Sequence, residues 1–336
     1  MSPTNDSIAA TATAITHSMS LFYQYCSIIY LILGIAGHSL SIYVFTRGQL
    51  RRNPCARYFL AMSIAGYFVV CGNIPLRLLQ ISYGIDVFTV SLPLCRFLSY
   101  LLVCTRTLPS WFVALSCIDR FLCSSPSVKF RGWSSIRVAS RVISLTVLVI
   151  TIIYIHMPFY ITITQPQNNC NIASASYSAF FSMWNLVFWS WIPSFSMLIF
   201  SVLAVRHVHQ AKRRLVPANN PNEVQNLTKK IDRQLIRMTL VQSLVFGLTT
   251  TINSLVNLYY AQTSSATDDA IKRAIKSYVV NASTYIALIG PCLAFYLFTL
   301  SSQLFRQELL KLFRYLICRQ AVPTERDTNG SIPQRI

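Results

Sequence analysis

Acidic side chains are scarce in this sequence. Asp and Glu number 10 against 29 Lys and Arg in 336 residues, and charged residues of both signs make up only 12%. A soluble domain carries about twice that fraction, so this chain lacks the polar surface to cover itself in water. The basic excess alone would suggest nucleic acid, but the cations lie between apolar runs rather than on one polar domain, so no nucleic-acid partner is expected. The ten cysteines form no Cys-x-x-Cys pair, which argues against a zinc site. No Gly-x-Ser-x-Gly motif or His/Cys/Asp cluster of ligand spacing occurs, so neither an enzyme nor a resident metal or cofactor is expected. Residues 1–20 have no basic stretch followed by an apolar core, so no signal peptide is expected and the first apolar run would itself direct the chain to the membrane.

What the sequence has in quantity is hydrophobic runs. Seven lie near 24–46, 57–80, 95–118, 138–158, 179–205, 235–260 and 274–299. Each is long enough to cross a hydrocarbon core of roughly 30 Å, and in lipid such a run must be helical, because every backbone group needs a partner within the segment. The expected fold class is an all-α membrane protein, a seven-transmembrane helix bundle. Twenty-three of the basic residues fall in the first, third and fifth connections and the tail, and only Lys272, Arg273 and Lys276 fall in the others. The positive-inside rule then places the N-terminus outside and the tail in the cytoplasm. The expected divisions are an extracellular N-terminus at 1–23, the membrane domain at 24–300, an amphipathic helix at 301–318 and a cytoplasmic tail at 319–336. Asn5-Asp6-Ser7 is then an exterior glycosylation sequon, whereas the sequons at Asn226 and Asn281 would not be used. A multi-span transporter or channel is the alternative; no internal repeat and no pair of interrupted helices in matching halves supports it.

The third run breaks off sharply in "CIDRFLCSSPSVKFRGW", residues 117–133. Twenty-four residues separate Cys95 from Asp119, about 36 Å of helix, so Asp119 and Arg120 stand at the cytoplasmic mouth of the bundle. A charge there is costly unless paired. Cys95, at the outer start of the same run, and Cys170, in the second outer connection, are the two cysteines placed firmly outside, where an oxidising environment permits a disulfide. Within the run, Arg106 lies about 16 Å below Cys95. Facing lipid it would cost about 2.5–3.5 kcal/mol or more, so it should face the bundle. The outer halves of the seven runs hold no Asp or Glu to pair with it, and Arg77 could line the same space. Two arginines without an acid suit a carboxylate. The bland alternative is that Arg106 bonds carbonyls freed by Pro109, and the two readings weigh about evenly.

Seven spans, a cysteine opening the third, a cysteine in the second outer loop and the Asp-Arg-aromatic sequence Asp119-Arg120-Phe121 together resemble a rhodopsin-like G-protein-coupled receptor over about residues 24–316. Pro193 falls where these receptors carry a proline in span five. "SSQLFRQELLKLFRYLIC" is similar to their short amphipathic eighth helix, which would lie on membrane lipid and end at a palmitoylation candidate, Cys318. "MSIAGY" and "DRF" with its following serines resemble, more loosely, invertebrate neuropeptide-type orphan receptors. The resemblance implies a Cys95–Cys170 disulfide, an Arg120 held by Asp119 and by an acid at the inner end of span six, here Asp232, and a heterotrimeric G protein as partner. It implies an extracellular ligand, here a peptide or other carboxylate-bearing molecule read by Arg77 and Arg106. Amine and retinal ligands are excluded by Leu102 and by the absence of Lys between 277 and 299.

Several positions depart from the family pattern. His38 follows Gly37 where Asn is usual, and Gly66 stands where a sodium-binding Asp is usual. "FGLTTTI" at 246–252 replaces Phe-x-x-Cys-Trp-x-Pro, and "AFYLF" at 294–298 replaces Asn-Pro-x-x-Tyr, with Pro291 four residues earlier as the expected source of a kink.

Overall fold

The computed structural model describes residues 3–47, 50–164, 169–214, 223–263 and 269–301, with 306, 307, 309, 310, 312 and 314 beyond them. Side chains at 3–6, 208–233, 235, 300 and 301 are outside that description. Six helical stretches are each long and apolar enough to cross a membrane: Ser7–Phe45, Pro54–Ser82, Leu92–Ser124, Ile136–Tyr160, Ala175–His207 and Ile236–Thr263. The seventh run is interrupted. Ala270–Ala287, Ile289–Cys292 and Ala294–Ser301 succeed one another with breaks at Leu288 and Leu293. Pro291 lies between those breaks, and without an N–H it cannot bond the carbonyl of Ala287.

Local sequence explains where the helices start. Asn53, Ser91, Ser135 and Ser174 each accept a backbone N–H with the side chain at an N-cap, and Pro54 and Pro93 occupy first-turn positions whose N–H would go unused. The second helix ends at Ser82; Gly84, at φ 67°, lets Ile85 N–H reach back to the Leu79 carbonyl, a left-handed cap that glycine adopts at least cost.

The first helix does not break near residue 24 but runs from Pro3 to Phe45. In its Ser/Thr-rich beginning Thr11, Thr13, Thr16 and Ser18 donate their hydroxyls to carbonyls four residues back, which keeps these polar groups paired within the helix. Forty-three residues give about 64 Å, roughly twice what a hydrocarbon core needs. Of the expected eighth helix, residues 306, 307, 309, 310, 312 and 314 have helical backbone. Leu309 packs on the core while Arg306, Leu310 and Arg314 are exposed; Cys318 lies outside the described residues.

The third helix is the axis of the bundle and packs against the second, fourth, fifth and sixth. Two hydrophobic clusters divide its length. At the Asp119 end, the Phe45, Phe59 and Phe298 rings meet with centroids 4.9–5.6 Å apart, joined by Met62, Val113, Met197 and Phe246. At the Cys95 end, Val103, Ile150, Tyr154 and Met157 gather around the cysteine.

One core exchange is visible between the first two helices. His38 is 1% exposed, and its ring fills the space beside Gly66, where an added Cβ would stand 2.6 Å from Nε2. Gly66→Ala should therefore overpack the site by about 1–3 kcal/mol, lowering the thermal unfolding midpoint of the purified protein. His38→Ala/Gly66→Ala should lose less than the two single losses combined, since residues in contact are non-additive. A Gly66→Ala protein as stable as the parent would refute this packing.

Candidate functional site

The two ends of the third helix carry different polar chemistry. At the Cys95 end a disulfide joins Cys95 to Cys170. Cys170 belongs to a two-stranded antiparallel sheet, Ile161–Thr164 with Asn169–Ile172, in which it pairs with Ile163. Arg96 Nε donates to the Ile161 carbonyl at 3.1 Å. Disulfide and arginine together hold this hairpin across the top of the bundle.

Beneath it lies a cavity of about 760 Å³. Arg77 and Arg106 both line it, so the structure brings the two sequence-chosen arginines together, and it adds Lys276 from the seventh helix. Lys276 counts with the sixth connection in the charge balance although it falls at the start of the seventh run; the packing of that helix turns it inward. Six asparagines, at 73, 171, 185, 253, 257 and 281, share the remaining polar lining with Ser, Thr and Tyr hydroxyls, and no Asp or Glu is among the described lining residues.

The floor of the cavity is built by a proline. Pro193 has no N–H for the carbonyl of Trp189 or Phe188, and the fifth helix widens into a π-turn over Leu186–Trp191, a local form common at functional sites. The freed Phe188 carbonyl accepts from Trp111 Nε1 at 2.9 Å, while the Trp189 carbonyl stands 3.4 Å from Ser110 Oγ, whose single proton is closer to the Thr107 carbonyl at 2.8 Å. The widened turn presents the Trp189 ring to Arg106, whose guanidinium carbon sits 4.3 Å from the ring centroid. Arg106 therefore rests on an aromatic face, not on a carbonyl freed by Pro109. Its Nε is buried without a hydrogen-bond partner among the described residues. Arg77 differs: it donates to Gln80 Oε1 at 2.9 Å, and Gln80 in turn donates to Asp86.

On the first and seventh helices the wall is aromatic. Tyr285 bonds the Ser27 hydroxyl and packs against Tyr23 and Tyr30. Asn253 on the sixth helix accepts from Ser283 at 2.9 Å and Thr284 at 3.2 Å on the seventh. The sixth helix runs unbroken from Glu223 to Thr263, and its Thr250 and Thr251 meet Ser190 of the π-turn. Small hydroxyls thus fill the place where the family pattern would put bulkier residues.

At the opposite end Asp119 and Arg120 are 4% and 2% exposed. Arg120 donates to Asp119 Oδ2 at 2.7 Å and to Asn53 Oδ1 at 3.0 Å; Ser134 donates to Asp119 Oδ1 at 2.8 Å. Asn53, which also caps the second helix, and Ser134, in the third connection, are residues that sequence reading missed. Only the fold brings them to the pair, and an N-cap serving two donors leaves no pattern in a sequence. Phe121 turns away and packs on Phe200 and His207 of the fifth helix. Asp232 lies in the sixth helix, but its side chain is outside the described residues, as is that of Asn5 in the first turn of the first helix.

In unreduced protein Cys95 and Cys170 should resist alkylation, and Cys170→Ser should cost about 2–5 kcal/mol of stability. Labelling of both thiols without reductant would contradict the bridge.

No curated protein matches the chain, so the looser likeness to invertebrate neuropeptide-type receptors rests on sequence motifs alone. A family profile described as 7 transmembrane receptor (rhodopsin family) matches residues 37–293, from the first helix to the interruption of the seventh. With that match over most of its length, the chain belongs to the rhodopsin family of seven-transmembrane receptors.

Proposed function

We propose that this multi-pass protein is a plasma-membrane receptor with its N-terminus outside, that its cavity takes an extracellular ligand bearing a carboxylate or other acidic group, and that its Asp119–Arg120 end engages a heterotrimeric G protein. One observation carries the ligand class: three cationic side chains line a cavity that has no acid among its described lining residues. Arg106 is the deepest in the span and makes no hydrogen bond or ion pair among the described residues. Stacked on Trp189, its planar fork is held in one orientation and can meet a carboxylate with two parallel hydrogen bonds. A peptide C-terminus, an acidic side chain or a small organic acid would serve.

The transporter reading has less support. Below the cavity the Phe112, Val113, Met197 and Phe246 side chains are buried in one apolar cluster, which blocks a polar path along the bundle axis. The two ends also differ in kind, with a cavity at one and a paired charge at the other, as a signalling protein needs.

Arg106→Gln should weaken an acidic agonist about tenfold or more, since a hydrogen bond to a charged group is worth about 1.5–3 kcal/mol and 1.4 kcal/mol is one decade. Arg106→Lys should also lose potency, because an ammonium cannot reproduce the fork. Agonist titration of nucleotide exchange, at matched surface expression, checks both. An equally potent neutral amide analogue, or reduced expression with unchanged potency, would make Arg106 a structural residue.

At the other end, Asn53 and Ser134 hold Arg120 and Asp119 in the arrangement seen here. Removing either partner frees part of the pair, so Ser134→Ala and Asn53→Ala should raise basal nucleotide exchange, and Asp232→Asn should do the same if that acid restrains Arg120. Basal exchange equal to the parent's in the Ser134 and Asn53 variants, at matched expression, would remove the restraining role.

A further inference from the structure

The three cations of the cavity do not cluster. Each is seated over a ring on a different element. The Arg106 guanidinium lies 4.3 Å from the Trp189 ring of the fifth helix, that of Arg77 lies 5.8 Å from Phe88, just before the third helix, and the Lys276 ammonium lies 5.9 Å from Tyr260 on the sixth. They differ in depth as well. Arg77 and Lys276 lie about 8–9 Å of helix from the outer ends of their elements, at Ser82 and Ala270, whereas Arg106 lies about 21 Å from its own, at Leu92. The cavity therefore has a cationic floor at Arg106 and a cationic rim at Arg77 and Lys276.

Both levels hold polar groups without partners. At the floor, Trp189 Nε1 and Ser254 Oγ belong to lining residues that are 3% and 2% exposed, and neither atom has a hydrogen-bond partner among the described residues. Ser254 stands one turn beyond Thr250, whose hydroxyl meets that of Ser190, the residue after Trp189. The indole N–H, the Ser254 hydroxyl and Arg106 Nε are thus three unpartnered groups at one level of the cavity. At the rim, Lys276 makes no hydrogen bond or ion pair among the described residues. Arg77 gives Nη1 to Gln80 and keeps the rest of its five donors.

A ligand with a single acid can meet the floor or the rim, not both. In filling the cavity it would strip water from the cation it leaves unpaired, a cost that nothing in the described lining returns. Between the two levels stand amides: Asn257, between Ser254 and Tyr260 on the sixth helix, and Asn281, below Lys276 on the seventh. A side-chain amide both donates and accepts, as a peptide unit does. The volume of about 760 Å³ is in the range of cavities that enclose small ligands.

We propose that the ligand carries two acidic groups joined by an amide-bearing segment, one acid seated on the Arg106 floor and the other shared by Arg77 and Lys276. The inference rests on the carboxylate reading above and adds the second charge to it.

The test uses full-length protein in phosphatidylcholine nanodiscs, which leave both faces of the bundle open. Three sets of probes are titrated at fixed ionic strength: N-acetyl-aspartyl peptides extended by one to three glycines as free acids, the same peptides as C-terminal amides, and the corresponding asparaginyl free acids. Each amide nearly matches the shape of the acid it replaces, and Kd is read by saturation-transfer NMR. The best diacid should bind about tenfold tighter than either of its single-acid relatives. Arg77→Gln/Lys276→Gln, at one exposed and one half-buried position, should weaken that diacid about tenfold and leave at least one single-acid relative unchanged. Arg106→Gln should weaken the diacid by a similar factor. Arg273→Gln, exposed on the seventh helix and outside the described lining, should leave every Kd as it was. Single-acid peptides that bind as tightly as the diacid, and are still weakened by Arg106→Gln, would overturn the second acid and leave the single-carboxylate reading standing. Binding indifferent to Arg106→Gln would remove that reading and this inference together. No saturable binding of any diacid would likewise overturn the inference.

Discussion

Inside hydrocarbon a backbone carbonyl that loses its helical partner has no water to turn to, and much of this bundle follows from how four prolines are accommodated. Pro75 and Pro193 lie beside widened turns, at Val69–Asn73 and Leu186–Trp191; Pro109 sits inside an unbroken third helix; Pro291 lies within the interrupted seventh. Each site removes a backbone donor, and satisfying or relaxing around the loss shapes the neighbouring contacts. The case of Pro193 is the most consequential. The freed Phe188 carbonyl fastens the fifth helix to Trp111, and the same widening delivers Trp189 to Arg106. A backbone defect on one helix thereby fixes the orientation of a charge on another.

Charge in this protein is handled in two opposite ways. At the Asp119 end the buried pair is neutralised internally, with Asn53 and Ser134 taking up further hydrogen-bonding capacity, as a buried ion pair requires if it is not to be a large penalty. In the cavity the cations make no ion pair among the described residues: Arg106 lies over Trp189, and Arg77 reaches Asp86 only through the Gln80 amide. The first arrangement stores its complement within the chain; the second leaves the complement to be supplied from outside. In the proposed function, that contrast, more than cavity size, separates the restraining end from the ligand-binding end.

The departures from the family pattern are mutually consistent when seen in space. His38 occupies room that exists because position 66 is glycine. Gly290, beside Pro291, brings the seventh helix close to Phe246, with an added Cβ 3.3 Å from that ring, and its carbonyl accepts from Gln242 at 3.1 Å. Such exchanges fill the same volume with different residues, and they leave His38 Nδ1, His38 Nε2 and Gln242 Oε1 buried without hydrogen-bond partners among the described residues.

Hydrophobic length alone determined the seven segments, because 20 or so apolar residues have no other stable use. The spacing of Cys95 from Asp119 likewise determined that the third helix spans from a disulfide to a charged mouth, since rise per residue is fixed. The sequence also identified Arg106 as inward-facing, because lipid would not tolerate it. Tertiary structure decided what each of these meets. The inward turn of Lys276, the seat of Arg106 on Trp189 and the bonds from Asn53 and Ser134 depend on helix rotation and on neighbours tens of residues away. Composition and periodicity carry no information about those neighbours, because many rotations of a uniformly apolar helix bury the same area; packing at its few polar and proline positions selects among them.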